Sequence, residues 1–346
     1  MLRSSPAKKL LPGWNFWSAQ IKTETRFGGP SVEGTGSISP VNIAAVTPGE
    51  DGGVFSITSF NVTKMWPIDL PKGELIAVSV GRFNTLDLVD EDFFAGAGTE
   101  RFLHTSLNGG LAVAREIPLV TNGGIFAYIR KGEPFFTFAV LDPNSHERDL
   151  GLNDLFADGI TLSPTLNINE KYWGRSAKHT FSGALSTKEV TPFDEIRQII
   201  LPGPPTNPLR EEGPSWSLTY TFRQYLVERG KRDGWGLFVQ AAVANEETSP
   251  VTSLLVVGLG GNGLFKSRRR DEFGISYAYS GISEELIDAL DPITIGRLRS
   301  EHLFETFYNF YITPWLRLTG DLQIISPVRP RADTAVVPGV RLEVIF

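Results

Sequence analysis

The sequence predicts an all-β fold, a transmembrane antiparallel up-and-down β-barrel, and three observations carry that expectation. Apolar and polar residues alternate with period two along most of the chain. The connections between alternating segments are by turns short and long, and the last residue, Phe346, is an aromatic closing an alternating strand. Bulk composition is neutral on the point. The 346 residues carry 33 Lys+Arg against 39 Asp+Glu, a net charge of −6, and the mean hydropathy is −0.07. Soluble proteins and membrane barrels both give such values, because barrel strands average lipid-facing and lumen-facing residues. No apolar run approaches the ~20 residues of a membrane helix. The acidic balance argues against a nucleic-acid partner. The absence of cysteine excludes a disulfide framework and Cys-based metal sites.

Residues 1–13 are expected to be unstructured, followed by one barrel domain over 14–346. The opening MLRSSPAKKLLPG is basic but lacks the apolar core and small-residue cleavage site of an export signal. Strands are expected near 14–27, 32–43, 54–66, 74–83, 123–130, 134–142, 158–168 and 175–186. Further ones follow near 215–226, 234–244, 252–261, 272–281, 303–312, 315–325 and 336–346. Most run about 9–12 residues, enough to cross a bilayer when tilted. The alternation is cleanest at the end of the chain. Val340, Leu342, Val344 and Phe346 share one face, with Arg341 and Glu343 on the other. In 315–325, Leu316, Leu318, Leu322 and Ile324 share a face opposite Arg317, Thr319, Asp321 and Gln323. The one helix expected is 283–290, where Leu286, Ile287 and Leu290 line up at helical spacing.

The connections read as short periplasmic turns and long extracellular loops. Two of the long ones, 84–122 and the Pro-rich 187–214, are long enough to fold inward or cap a pore. The strand count is about fifteen, and single-chain bacterial barrels use an even number. A total of about sixteen is therefore expected, with a first strand and an export signal upstream of Met1.

Sequence motifs with chemistry attached mostly dissolve on inspection. G-L-G-G-N-G at 258–263 matches a dinucleotide-binding fingerprint, but the following F-K-S-R-R-R-D-E leads into a strand rather than the required helix. The four histidines, His104, His146, His179 and His302, show no metal-ligand spacing, and no G-x-S-x-G is present. His179 and Ser182 should face opposite sides of their strand. Arg268, Arg269 and Arg270 read as a solvated turn. The chain is thus expected to be neither an enzyme nor a cofactor protein, with no catalytic residue, cofactor or metal.

The stretch E-T-F-Y-N-F-Y-I-T-P-W-L-R-L-T-G-D-L-Q-I-I-S-P (305–327) and the closing V-V-P-G-V-R-L-E-V-I-F (336–346) resemble the C-terminal signature of carbohydrate-selective, OprB-type porins. G-R-F-N-T-L-D (81–87), F-F-A-G (93–96), D-L-F-A-D-G (154–159), W-S-L-T-Y-T-F-R-Q-Y-L (216–226), G-W-G-L-F (234–238) and R-R-D-E-F-G-I-S-Y-A-Y (269–279) are similar to segments of the same family. The resemblance implies an outer-membrane barrel of about sixteen strands through which small sugars diffuse passively. Outer-membrane lipids are then the surroundings. The barrel-assembly machinery is the expected partner of the C-terminal strand ending at Phe346, and the barrel is a monomer or homotrimer.

A pore for neutral sugars needs groups that replace sugar hydration, paired charges of both signs and aromatic faces. The pore-lining candidates are Arg223, Tyr225, Glu305, Asn309, Trp315, Arg317, Asp321, Gln323, Arg341 and Glu343. Tyr225 and Trp315 could instead belong to an interfacial girdle. The alternatives are a general or anion-preferring porin, and, in another class, a soluble β-sandwich that binds carbohydrate.

Overall fold

The computed structural model describes residues 16–25, 34–43, 46, 55–87, 93–96, 100–108, 110–147, 149–200, 209–294 and 296–344. Expectations for residues 1–13 and for Phe346 lie outside this set. Fourteen strands form one antiparallel sheet in chain order. They are β1 Trp17–Thr25, β2 Phe55–Asp69, β3 Glu74–Asn84, β4 Val120–Arg130, β5 Glu133–Leu141, β6 Thr161–Tyr172 and β7 Arg175–Ser186. The series continues with β8 Ser215–Gly230, β9 Asp233–Ala244, β10 Val251–Asn262, β11 Glu272–Ile282, β12 Glu301–Thr313, β13 Leu316–Ser326 and β14 Ala335–Val344. This is an up-and-down barrel. A single sheet in sequential order is incompatible with the two facing sheets of a sandwich.

The segment 32–43 corrects the expected count. Its described residues, 34–43, form turns and bends, not a strand. Ser37, Ser39 and Val41 of this segment are buried inside the barrel. Among the described residues the count is therefore fourteen. Trp17 pairs with Lys64, toward the short turn 70–73, and Val344 pairs with Leu316 beside the turn 314–315. The first strand thus starts, and the last ends, on the short-turn rim.

Alternation sets the two faces. On β13, Arg317, Thr319, Asp321, Gln323 and Ile325 are buried inward, while Leu318 and Ile324 are exposed on the outer face. On β14 the outward Val336, Val340, Leu342 and Val344 are exposed in the same way. In hydrocarbon such a face costs nothing, and the ladder satisfies the backbone groups that lipid cannot. Aromatics gather at the short-turn rim: Trp17, Trp66, Tyr172, Trp173, Phe310 and Trp315 are all exposed there. This is the interfacial girdle of a membrane barrel. Lys64 caps it from the outer face, its Nζ lying 4.7 Å from the Trp17 ring centroid.

Among the described residues, the long connections hold the short α-helices α1 Leu111–Ala114, α2 Phe193–Ile200 and α3 Glu284–Leu290. Helix α3 matches the expected helix, and its N-cap Ser283 accepts a hydrogen bond from the Leu286 N–H. Helix α2 packs against it at the long-loop rim. The prolines around 192–208 hid α2, although Asp194 and Glu195 in its first turn are favourable to a helix start.

The membrane-facing assignment predicts a depth gradient. Leu322→Arg, at the middle of β13, is expected to cost about 2–4 kcal/mol, and Leu318→Arg, nearer the rim, less. Reversible unfolding in lipid vesicles measures both, and equal, negligible costs would contradict an outer face in lipid.

Candidate functional site

The inner faces of β9–β13 are not lined by polar residues alone. Phe238, Leu254, Val256, Ala278, Leu303, Phe307 and Ile325 also point inward and are buried. Apolar lumenal side chains need a cover. It comes from the two long connections β1–β2 and β3–β4, whose Val41, Phe94, Phe102, Leu107 and Ala112 enter the barrel and complete one hydrophobic cluster. Phe102 sits at its centre, fully buried, edge-on to Phe307 at 4.8 Å and to Phe238 at 5.7 Å.

Glycines on the wall make room for this insertion. A Cβ on Gly274 would lie 2.3 Å from Phe307 and 2.6 Å from Phe102, and one on Gly260 would lie 2.2 Å from the Phe94 carbonyl oxygen. A Cβ on Gly258 would meet the Phe238 ring at 2.4 Å. The fingerprint-like G-L-G-G-N-G is thereby explained. Two of its glycines are the inward positions of β10 against which an aromatic ring and a loop backbone pack.

A loop threaded into a barrel carries backbone groups that must find partners. Buried side chains of the wall supply them. The Glu305 carboxylate accepts the N–H groups of Leu103 and His104 at 2.5 and 3.0 Å. The Glu301 carboxylate accepts the Ile38 N–H at 2.9 Å, and the Gln323 amide donates to the Val41 carbonyl at 2.9 Å. Asn309 donates to the Glu100 carbonyl at 2.7 Å and to Glu272 at 2.9 Å, and accepts from the Thr319 hydroxyl at 2.6 Å. Arg341 donates to the Arg101 carbonyl at 3.2 Å. The two loops also bond each other: the Ile43 N–H reaches the Leu103 carbonyl and the Thr105 N–H the Pro40 carbonyl.

The charges pair by sign. Arg101 of the inserted loop meets Glu272 at 2.8 Å, Arg317 meets Glu272 at 3.1 Å, and Arg317 also pairs with Glu343. Asp321 takes a hydrogen bond from Gln323 at 3.3 Å. Toward the short-turn rim, Tyr225 packs on Phe93 and Phe94 of the loop, with ring centroids at 5.9 and 4.7 Å. At the return of the loop, fully buried Glu116 accepts from the Ser215 hydroxyl at 2.5 Å, while its carbonyl accepts from Thr161. Burial pushes the Glu116 carboxyl up from the usual range, against the opposing hydrogen bonds of Ser215 and Ser217.

The sequence candidates therefore divide three ways. Glu305, Asn309, Arg317, Asp321 and Gln323 face inward but are buried beneath the inserted loops, with Arg341 and Glu343 beside them. Arg223 and Tyr225 are half-buried on the inner face of β8. Trp315 is a correction: it occupies the β12–β13 turn, 54% exposed, and belongs to the girdle. A turn tip lies beyond the wall, so strand alternation cannot aim it into the lumen. Sequence reasoning missed Arg101, Glu116, Glu272, Glu301, Phe94 and Phe102. The available signal was apolar residues on both faces of E-H-L-F-E-T-F, which is unnecessary in a purely wet lumen. His179 and Ser182 do face opposite sides: His179 bridges Tyr172 and Tyr220 outside, and Ser182 meets Thr165 inside. Among the described residues no group of three or more His, Cys, Asp or Glu could hold a metal ion.

The family model for carbohydrate-selective porins of the OprB family matches residues 12–346. Among solved structures, the high-pH structure of Pseudomonas putida OprB aligns with a TM-score of 0.74 at 18% identity, covering 96% of this chain and 84% of that one. The low-pH structure of the same protein aligns at 0.48 and 15%, covering 85% and 69%. Outer-membrane expressed OmpT of Vibrio cholerae aligns at 0.44 and 8%, covering 96% and 97%. No curated protein matches the chain.

The inserted loop carries a titratable group with a clear sign. Burial drives the His104 imidazole from 6.5 down to about 3, so it is neutral when inserted. A released loop would bind a proton near 6.5. The histidine's contribution to insertion is therefore at full strength above about pH 6.5 and is lost as the pH falls toward 3. Single-channel current noise is expected to rise on acidification across that window, and His104→Gln to remove the histidine's share of the rise.

Proposed function

The chain belongs to the carbohydrate-selective porin family of the OprB type, and from that membership we propose that its selectivity comes from the partial filling of its lumen. It is a bacterial outer-membrane channel for sugars. In this reading the two inserted loops occupy the β9–β13 side, and sugars pass along the side that remains wet. The observation that carries it is the buried Glu305 carboxylate holding two consecutive backbone N–H groups of the inserted loop. Two hydrogen bonds from consecutive amides to one buried carboxyl group hold the loop in a fixed geometry. Of the candidates, Arg223 and Tyr225 are the ones proposed to meet permeant. Glu305, Asn309, Arg317, Asp321, Gln323, Arg341 and Glu343 are proposed to hold the filling in place.

The anion-preferring alternative is disfavoured by the sign pairing of Arg101 and Arg317 with Glu272 and Glu343. On that covered side, charges paired in this way do not strongly attract ions of either sign. Transport in this reading is passive diffusion with no catalytic step. The closing strand is proposed to be the segment that the barrel-assembly machinery reads, in a monomer or homotrimer.

The reading predicts that releasing the loop widens the channel. Glu305→Ala is expected to raise single-channel conductance and to admit larger oligosaccharides in liposome-swelling assays. Gly260→Ala should do the same from the opposite contact, because its Cβ would collide with the Phe94 carbonyl. If both variants retain the wild-type size cut-off, the loop does not set the passage.

A further inference from the structure

We propose that neutral sugars are selected by an uncharged hydroxyl and amide belt on the inner face of β6, β7 and β8, with Thr165, Ser182 and Thr219 as its selecting residues. The inference rests on the sugar-porin function above and adds where, and by which groups, the choice is made.

The strand registers stack two polar rows across these strands. Thr165 pairs with Ser182, and Ser182 with Thr219. Two residues nearer the short-turn rim, Asn167 pairs with Thr180, and Thr180 with Thr221. Alternation leaves Leu166, Phe181 and Leu218 on the lipid side of the same strands, so the polar rows face the lumen. There the wall keeps partly accessible positions. Thr165, Ser182 and Thr219 are half-buried, whereas the inward positions of β12 and β13, such as Glu305 and Arg317, are shut beneath the inserted loops.

The chemistry of the rows suits a polyol. The Thr165 and Ser182 hydroxyls hydrogen-bond each other at 3.0 Å, and Thr180 donates to the Asn167 carbonyl oxygen at 2.8 Å. Each hydroxyl has one donor and two acceptor sites, so a bonded pair still offers capacity to a passing molecule. A sugar hydroxyl can exchange water for these groups step by step, as a filter replaces a hydration shell. An ion gains little, because the wall carries no formal charge until the Lys178–Arg223 row, one step closer to the short-turn rim. Neutral sugars are thereby favoured over ions of similar size.

The test uses the full chain reconstituted in liposomes and planar bilayers, with glucose as the probe. The triple variant Thr165→Val, Ser182→Ala, Thr219→Val removes the hydroxyls at nearly constant volume. Glucose uptake at low concentration should fall about tenfold, the equivalent of one to two net hydrogen bonds, while potassium chloride conductance holds near wild type. Uptake equal to wild type by the folded triple variant overturns the assignment. A second variant guards against a folding artefact: Ser182→Asp should shift the reversal potential toward cation preference, and an unmoved potential removes Ser182 from the passage. Wild-type liposomes that admit no glucose would overturn the sugar function itself along with the belt.

Discussion

A peptide threaded into a barrel interior needs a partner for every backbone group it hides, and that requirement organises this molecule. The lumen wall meets it with carboxylates and amides. Glu305 takes two consecutive N–H groups, Glu301 takes a third, and Gln323 and Asn309 cover carbonyl oxygens. Leaving a buried donor or acceptor unpaired costs about 1–3 kcal/mol. The wall's polar side chains are therefore structural before they are anything else. Their positions follow from the loop path, and the loop path from the room left by Gly260 and Gly274.

The same insertion divides the barrel into two unlike halves. From β9 to β13 the interior is a packed core with Phe102 at its centre, closed by aromatic and aliphatic contacts like those of a soluble domain. From β6 to β8 the inward face carries Thr165, Thr180, Ser182, Thr219 and Thr221, whose hydroxyl side chains are only half-buried. A wide barrel with a uniformly polar wall would pass ions and solutes by size alone. In the reading proposed above, filling one side leaves a passage along the hydroxyl-bearing rows of β6–β8, where hydrogen-bonding capacity can distinguish one solute from another.

Charge in the lumen follows the same economy. Glu272 pairs with both Arg101 and Arg317, and Arg317 also with Glu343, so the loop and three strands are tied through one mixed-sign cluster. In a partly desolvated interior such pairs are retained because removing one partner strands the other. A network of this kind makes loop position depend on several residues at once, which keeps the insertion rigid.

Much of the fold was legible in the sequence because barrel strands answer to a local rule. Lipid outside and water or protein inside impose period two, so β2 to β14 were recovered within a few residues of their observed bounds. Turn positions followed from the breaks in the same alternation. The rule failed at 32–43, where Ser37, Ser39 and Val41 alternate yet serve the interior, because burial inside a barrel and burial against lipid leave the same pattern. The site was half legible. Glu305, Asn309, Arg317, Asp321 and Gln323 could be assigned to the inner face, since side-chain direction is set within the strand. What they touch could not, because their partners lie far off in the chain: Glu305 and Leu103 are 202 residues apart, and Gln323 and Val41 are 282 apart. Alternation decides which way a side chain points, while only the tertiary path of the loops decides whether it meets water or a backbone amide.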